Sequence, residues 1–458
     1  MKNKNPNLTE DPINQLFFRI AVPSSVGTVF MTLYNVVDTY FAGKISPEAL
    51  AALAQTFPVY FIIIAIGVGL SIGTTSLIAN ALGENKVKKA SLFLAQSISL
   101  AILTSIIVTI IGIYLGPSII LLMNNSLTTM ELSMEYLNII FLGSIFVFIQ
   151  MAVNSSLSAM GDTKTNRNVL IFSFFLNIVL NPLFIFGYWF IPAMGMKGIA
   201  ISTVFSQGLG TLYIIYKVTL TDLSEYLFIN CFKPKIKILL DLLKQAVPAS
   251  IGMMMISIGI FIILFFIGQY GDLALAGYGT AIRYEQLYLL PVLGLNTAVL
   301  SMVAQNFGAK KLLRVGEIYN KALIFGCIFM FFSGFVIFFT AEFAVGLFTN
   351  NSEVIYFGTK YLQITALMEP VYPIFFISNA LIQGLKKANI VMYLTIGRMV
   401  IMPLVVLTYL IFYLDSSYEY VFWGLLVINW IFGLFVFLLT KYIIRNEIKN
   451  TQKLQSAT

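Results

Sequence analysis

Apolar residues run through this chain in long blocks separated by short polar segments, rather than in the narrow stripes of a water-soluble helix. The blocks predict helices near 17–43, 49–83, 90–116, 134–160, 167–190 and 194–217. A second set falls near 246–269, 273–308, 318–343, 356–384, 390–413 and 420–441. Each block reaches the length of about 20 residues needed to cross a hydrocarbon core about 30 Å thick. Backbone groups in lipid must be satisfied within the spanning segment, so such blocks are helices. The short alternating segments of a membrane β-barrel are missing from the sequence. The pattern predicts an all-α membrane protein with twelve transmembrane helices.

The second set of blocks repeats the first. "AVPSSVG" at 21–27 matches "AVPASIG" at 246–252, an offset of 225. The pair "GL" at 69–70 and 294–295 keeps that offset, as do Gly83 and Gly308. "SLSAMG" at 156–161 pairs with "NALIQG" at 379–384, and Pro182 with Pro403. Six spans return the chain to its starting side, so the two copies are parallel repeats. The predicted organisation is an N-terminal six-helix bundle over 1–217, a basic linker over 218–245 and a C-terminal six-helix bundle over 246–458. Such a plan suits a transporter with a substrate path between halves and alternating access.

Composition supports the membrane reading. The chain is 59% hydrophobic and 10% charged, against about 25% charged in soluble domains. Its formal charge of +8 is not a nucleic-acid signature, because the cations are sorted by side. Lys86, Lys88, Lys89, Lys164, Arg167, Lys233, Lys235, Lys237, Lys310, Lys311, Arg314, Lys386 and Lys387 lie in loops after even-numbered spans, on the side of both termini. Lys44, Lys197 and Lys360 fall on the other side. The positive-inside rule then predicts a multi-pass protein of the cell (inner) membrane with both termini cytoplasmic. The polar start "MKNKNPNLTEDPINQ" lacks a signal-peptide pattern and is expected to be retained.

Candidate chemistry is narrowed by what is missing. With 0 His and 2 Cys, Cys231 and Cys327, far apart in the chain, His-based proton shuttles and cysteine metal sites are excluded. No nucleotide-binding GxxxxGK[ST] loop is found. Proton chemistry is left to Asp, Glu, Tyr or Lys. Asp38 stands deep in the first span, and an intramembrane carboxylate is costly enough that it faces a cavity or a partner. Asn35 is three residues earlier, near the same face. In "LNIVLNPLFIFG", Asn177 and Asn181 are four apart and project together beside Pro182. "GIAISTVFSQG" offers Thr203 and Gln207 at the same spacing. Carboxamide and hydroxyl oxygens suit Na⁺ or a protonated carboxyl, and equally well plain interhelical packing. The repeat sharpens the contrast: Asp38, Asn35, Asn177 and Asn181 correspond to Ile263, Ile260, Arg398 and Met402. The second half instead carries Arg283, Glu285 and Gln286 in "AIRYEQLYLLP", Glu369 in "MEPVYP", and Arg398. Arg283 and Glu285 are two apart, so a helix does not face them at each other.

In "AVPSSVGTVFMTLYNVVDTYFAG", "EALAAL", "SAMGDTK", "LNIVLNPLFI" and "VAQNFGA", the chain resembles the multidrug and toxic compound extrusion (MATE) family over essentially its whole length, in particular its prokaryotic DinF-like branch. The resemblance implies two six-helix bundles, a V-shaped opening and export of organic cations or amphipathic toxins against inward H⁺ or Na⁺. It implies an ion-coupling site at Asp38, Asn177, Asn181 and Thr203, no cofactor beyond that ion, no resident metal and no enzymatic activity. A monomer in the lipid bilayer is the expected assembly. Relatives often carry an acid in place of Asn181, so a single carboxylate here favours H⁺ over a Na⁺ cage. Asn35, Gln207, Arg283, Glu285, Glu369 and Arg398 are the candidates for lining a substrate cavity. A lipid-linked oligosaccharide flippase of the same fold superfamily is the rival function, since Arg283 and Arg398 could hold a pyrophosphate.

Overall fold

A computed structural model describes residues 6–123, 127–189 and 191–456. Residues 1–5 of the polar start and residue 190, the last of the fifth predicted span, lie outside it. Helices α1 (Ile13–Ile45), α2 (Pro47–Gly83), α3 (Val87–Met123), α4 (Leu127–Ala159), α5 (Lys164–Phe186) and α6 (Met196–Thr219) form the first half. The second contains α7 (Ile236–Gly268), α8 (Asp272–Gly308), α9 (Leu312–Gly346), α10 (Ser352–Thr365), α11 (Tyr372–Gly384), α12 (Ala388–Ile396), α13 (Met402–Thr408) and α14 (Tyr418–Ser456). Among the described residues there is no β-sheet, only an isolated bridge between Tyr188 and Ile191.

Among the described residues, eleven segments are long and apolar enough to cross a membrane, and α10 with α11 makes a twelfth if the bent pair is one span. The span predicted over 356–384 corresponds to α10 with α11, and the chain bends by 44° between them. Pro370 and Pro373 explain the bend, because each lacks an N–H and crowds the carbonyl four residues back. The span predicted over 390–413 is likewise interrupted by π-turns at Gly397–Ile401 and Tyr409–Tyr413. Pro403 cannot bond to Met399, and the Met402 N–H reaches back to the Gly397 carbonyl. Elsewhere local signals start the helices: Ser46 accepts from the Ala49 N–H at 3.1 Å ahead of Pro47, and Asn351 caps α10 through the N–H groups of Glu353 and Val354.

The described chain divides into two compact units. One holds Pro6 and Val26–Ser250; the other joins Asn7–Ser25 to residues 251–456. In the first unit, α2 packs against α3 and α4, α4 against α6, and α5 against α6. Its α2 carries Gly69, which receives the first half of α7 at Ala246 and Ser250: a methyl group there would meet the Ser250 N at 2.5 Å and the Ala246 carbonyl at 2.6 Å. Ser250 Oγ donates to the Ile66 carbonyl at 3.3 Å at the same crossing. The second unit repeats the joint at the same offset, with Gly294 of α8 seated on Ala21 and Ser25 of α1 and Ser25 Oγ donating to the Pro291 carbonyl at 3.4 Å. Only glycine lets two helix backbones approach this closely. The second unit's core is aromatic, with Tyr361 against Tyr278 at 4.8 Å and against Phe422 at 4.9 Å between ring centroids.

Candidate functional site

In the first unit, α6 is laid on α5 by a row of small residues spaced four apart: Gly198, Ser202, Ser206 and Gly210. A methyl group on Gly198 would sit 2.6 Å from the Phe184 carbonyl carbon, so the helix start touches the end of α5. Farther along, Ser173 Oγ of α5 donates to the Ser206 carbonyl at 3.5 Å. This close crossing brings Ser202 and Thr203 to the face of α5 that carries Asn177 and Asn181.

Asp38 of α1 meets that face. It is 5% exposed, and Asn177, Asn181, Ser202 and Thr203 are buried with it. Three donors converge on its carboxylate. Asn177 Nδ2 and Asn181 Nδ2 donate to Oδ1 at 3.0 and 2.9 Å, and Thr203 Oγ1 donates to Oδ2 at 3.1 Å. The amides are themselves oriented: Asn181 Nδ2 also donates to Asn177 Oδ1 at 3.1 Å, while Ser202 Oγ donates to Asn181 Oδ1. Ser202 further receives Asn177 Nδ2 at 3.4 Å. Tyr34, Tyr60 and Tyr136 lie within range of the Asp38 charge.

The arrangement accommodates two protonation states of one carboxyl. Ionised, Asp38 accepts all three bonds. Protonated at Oδ2, it donates to Thr203 Oγ1, whose hydroxyl rotates to offer a lone pair, and the two amide bonds to Oδ1 persist. A Na⁺ ion at the same place would need oxygens, whereas the amide groups present nitrogen to the carboxylate. Ser202 is the member that sequence reasoning missed. Its signal was available in the four-residue spacing of small residues that begins at Gly198. Asn35 is exposed, and Gln207 is half-buried, its carbonyl accepting from Thr211 Oγ1 at 2.8 Å. Asn35 does not join the network around Asp38 among the described contacts, whereas the Gln207 side chain meets Tyr60, one of the tyrosines around Asp38.

The other candidates belong to the second unit. A cavity of about 250 Å³ there is walled by apolar and aromatic side chains and by Glu285, Gln286, Asn379 and Arg398. Glu285 accepts from Tyr361 Oη and, at 3.2 Å, from Tyr372 Oη. Arg398 sits in the π-turn, donates through Nε to Asn429 Oδ1 at 2.9 Å, and lies 3.8 Å from the Phe375 ring centroid. Ring stacking suits a guanidinium, and no ion pair joins it to a carboxylate among the described residues. Arg283 is exposed and outside this cavity. Free Cys231 and Cys327 are each half-buried, and no group of three or more His, Cys, Asp or Glu side chains is placed to hold a metal among the described residues.

Glu369 is fully buried at the α10–α11 bend, and neither of its carboxyl oxygens has a hydrogen-bond partner. A buried unpartnered polar group costs about 1–3 kcal/mol. Glu369→Met, which keeps the volume and removes both oxygens, is therefore expected to stabilise the protein by roughly that amount. Thermal unfolding in detergent checks it; a lower midpoint would mean that the carboxyl holds the bend in place.

Comparison with known proteins matches the two repeats separately. The MatE family model covers residues 23–183 and again 248–409. The probable multidrug resistance protein YpnP of Bacillus subtilis (strain 168) is 26% identical over 379 residues, covering 82% of this chain and 84% of that protein. The multidrug export protein MepA of Staphylococcus aureus (strain NCTC 8325 / PS 47) is 25% identical over 443 residues, 96% of each. Among solved structures, an outward-facing multidrug resistance MATE transporter of the MOP superfamily superposes with a TM-score of 0.89 at 24% identity, covering 98% of this chain and 99% of that one. A MOP superfamily transporter from Pyrococcus furiosus, whose reversed binding-pocket polarity suggests a different function, gives the same values. With two family matches in register with its two repeats, the chain belongs to the MATE family of secondary-active membrane transporters, and its role is transport rather than catalysis.

Proposed function

We infer that the chain is an H⁺-coupled exporter of cationic or amphipathic small molecules, and that Asp38 is its coupling site. The observation that carries this reading is the convergence of Asn177, Asn181 and Thr203 on one buried carboxylate. It is a site that holds and releases one proton with little rearrangement. The multidrug relatives support the substrate class. Asp38 in the first repeat, without an acid at the matching Ile263, supports the DinF-like branch. The lysine and arginine asymmetry supports a cell-membrane protein with cytoplasmic termini, and a monomer suffices for this design.

A second reading, a flippase for lipid-linked oligosaccharide, is favoured by the second unit. Arg398 lies in a cavity wall with no carboxylate ion-paired to it, which suits an anionic headgroup. The Pyrococcus transporter of the same fold, whose reversed pocket polarity suggests a different function, favours an alternative to drug export. Proteoliposomes separate the two. Ethidium export driven by an imposed pH gradient, but not by a Na⁺ gradient, is expected on the first reading. Transbilayer movement of a fluorescent polyprenyl-pyrophosphoryl sugar, without ethidium movement under either gradient, would put the flippase in its place.

A further inference from the structure

Between α6 and α7 the chain forms two short 3₁₀ turns, Asp222–Tyr226 and Ile229–Cys231. This segment is not a slack tether. Buried Gln96 of α3 commits its whole amide to it: Nε2 donates to the carbonyls of Cys231 and Lys233 at 2.6 and 2.7 Å, and Oε1 accepts from the Lys235 N–H at 2.7 Å. Ser99 Oγ donates to the Phe232 carbonyl and Ser91 Oγ to the Leu223 carbonyl, each at 2.8 Å. With the backbone held at five points, the outward side chains are held outward too. They are Phe228, Ile229 and Ile236, at 63%, 85% and 75% exposure, together with exposed Lys233, Lys235 and Lys237.

We propose that residues 228–237 form a membrane-surface anchor that binds the anionic headgroups of phospholipids. Three observations choose this occupant. The segment runs directly into α7 and is joined through the Asp222–Tyr226 turn to α6, both long and apolar enough to cross a membrane, so a lipid surface is within reach. Its fixed apolar tip suits the boundary between headgroups and acyl chains. Its lysines complement anionic headgroups, while the exposed acids Asp222 and Glu225 lie in the earlier turn, away from them in the chain. The anchor is independent of which solute is transported.

The test uses the full chain in vesicles, with a nitroxide at residue 230 through Asn230→Cys in a Cys231→Ser, Cys327→Ser background. Its collision rate with water-soluble NiEDDA is compared between phosphatidylglycerol-containing and pure phosphatidylcholine vesicles. The expected result is severalfold shielding in the anionic vesicles, lost when Lys233, Lys235 and Lys237 are all changed to Gln. Phe228→Ser with Ile229→Ser is expected to remove the shielding while leaving the label's ordered line shape. Equal, high accessibility in both lipids would overturn the proposal and leave the surface to a water-soluble partner. Equal shielding in both would overturn its anionic selectivity.

Discussion

Asp38→Asn is expected to abolish export driven by a pH gradient while leaving the protein folded. The hydrogen-bond geometry makes this substitution unusually clean. An asparagine at 38 can keep its Oδ1 where the Asn177 and Asn181 amides converge, and turn its Nδ2 toward Thr203, whose hydroxyl can accept as readily as donate. All three partners stay satisfied, so the stability change is expected to stay within about 1 kcal/mol. What disappears is the ability to bind and release a proton. Asp38→Ala is the contrasting change. It removes an acceptor from each of three buried donors; Asn177 Nδ2 keeps Ser202 Oγ and Asn181 Nδ2 keeps Asn177 Oδ1, so the Thr203 hydroxyl bears most of the loss and the change is expected to cost about 1–3 kcal/mol. Gradient-driven efflux from proteoliposomes, with thermal unfolding of the same preparations, separates loss of coupling from loss of fold. If Asp38→Asn exchanges solute like the wild type, the coupling group is elsewhere, and buried Glu285 and Glu369 in the second unit become the next carboxylates to test.

Much of the architecture was legible because membrane helices announce themselves by length and composition, and because the repeat could be checked at one offset. Asn177 and Asn181 were readable as a pair from their spacing alone, since four residues return a helix to the same face. Asn35 shows the limit of that argument. Three residues leave a side chain about 60° around the helix from its neighbour, and where the buried face is narrow this is enough to leave Asn35 exposed while Asp38 is buried. Ser202 could be found only by treating Gly198, Ser202, Ser206 and Gly210 as one packing row, not as isolated small residues. The interruptions near Pro370 and Pro403 were written in the prolines, but hydropathy runs straight through them. The partners of Glu285 and Arg398 were out of reach. Tyr361, Tyr372 and Asn429 lie on other elements, 76, 87 and 31 residues away in the chain, and only packing selects them.

The same repeat leads to the largest expected effect on stability. Gly69→Ala and Gly294→Ala should each destabilise the protein by about 3 kcal/mol or more, at or beyond the upper end of overpacking costs. At Gly69 the added methyl group would run into Ser250 Oγ, and behind it into the Ser250 N at 2.5 Å and the Ala246 carbonyl at 2.6 Å. At Gly294 it would meet Ser25 Oγ and the Ala21 carbonyl, with the Ser25 N at 2.9 Å. A serine side chain can rotate away, but a helix backbone cannot, so the helices must separate. Ser250→Ala in the Gly69→Ala background is therefore expected to recover only part of the loss. Gly279→Ala is the internal control: nothing lies within 4 Å of a methyl group there, and in mid-helix the change should stabilise by roughly 0.5–1 kcal/mol. Thermal unfolding of the purified variants in one detergent reads all four. Two matched losses, at positions that sequence alignment of the halves pairs at 225, would identify the joint as a property of the repeat. A neutral Gly69→Ala would mean that the crossing of α2 and α7 is looser than its backbone distances require.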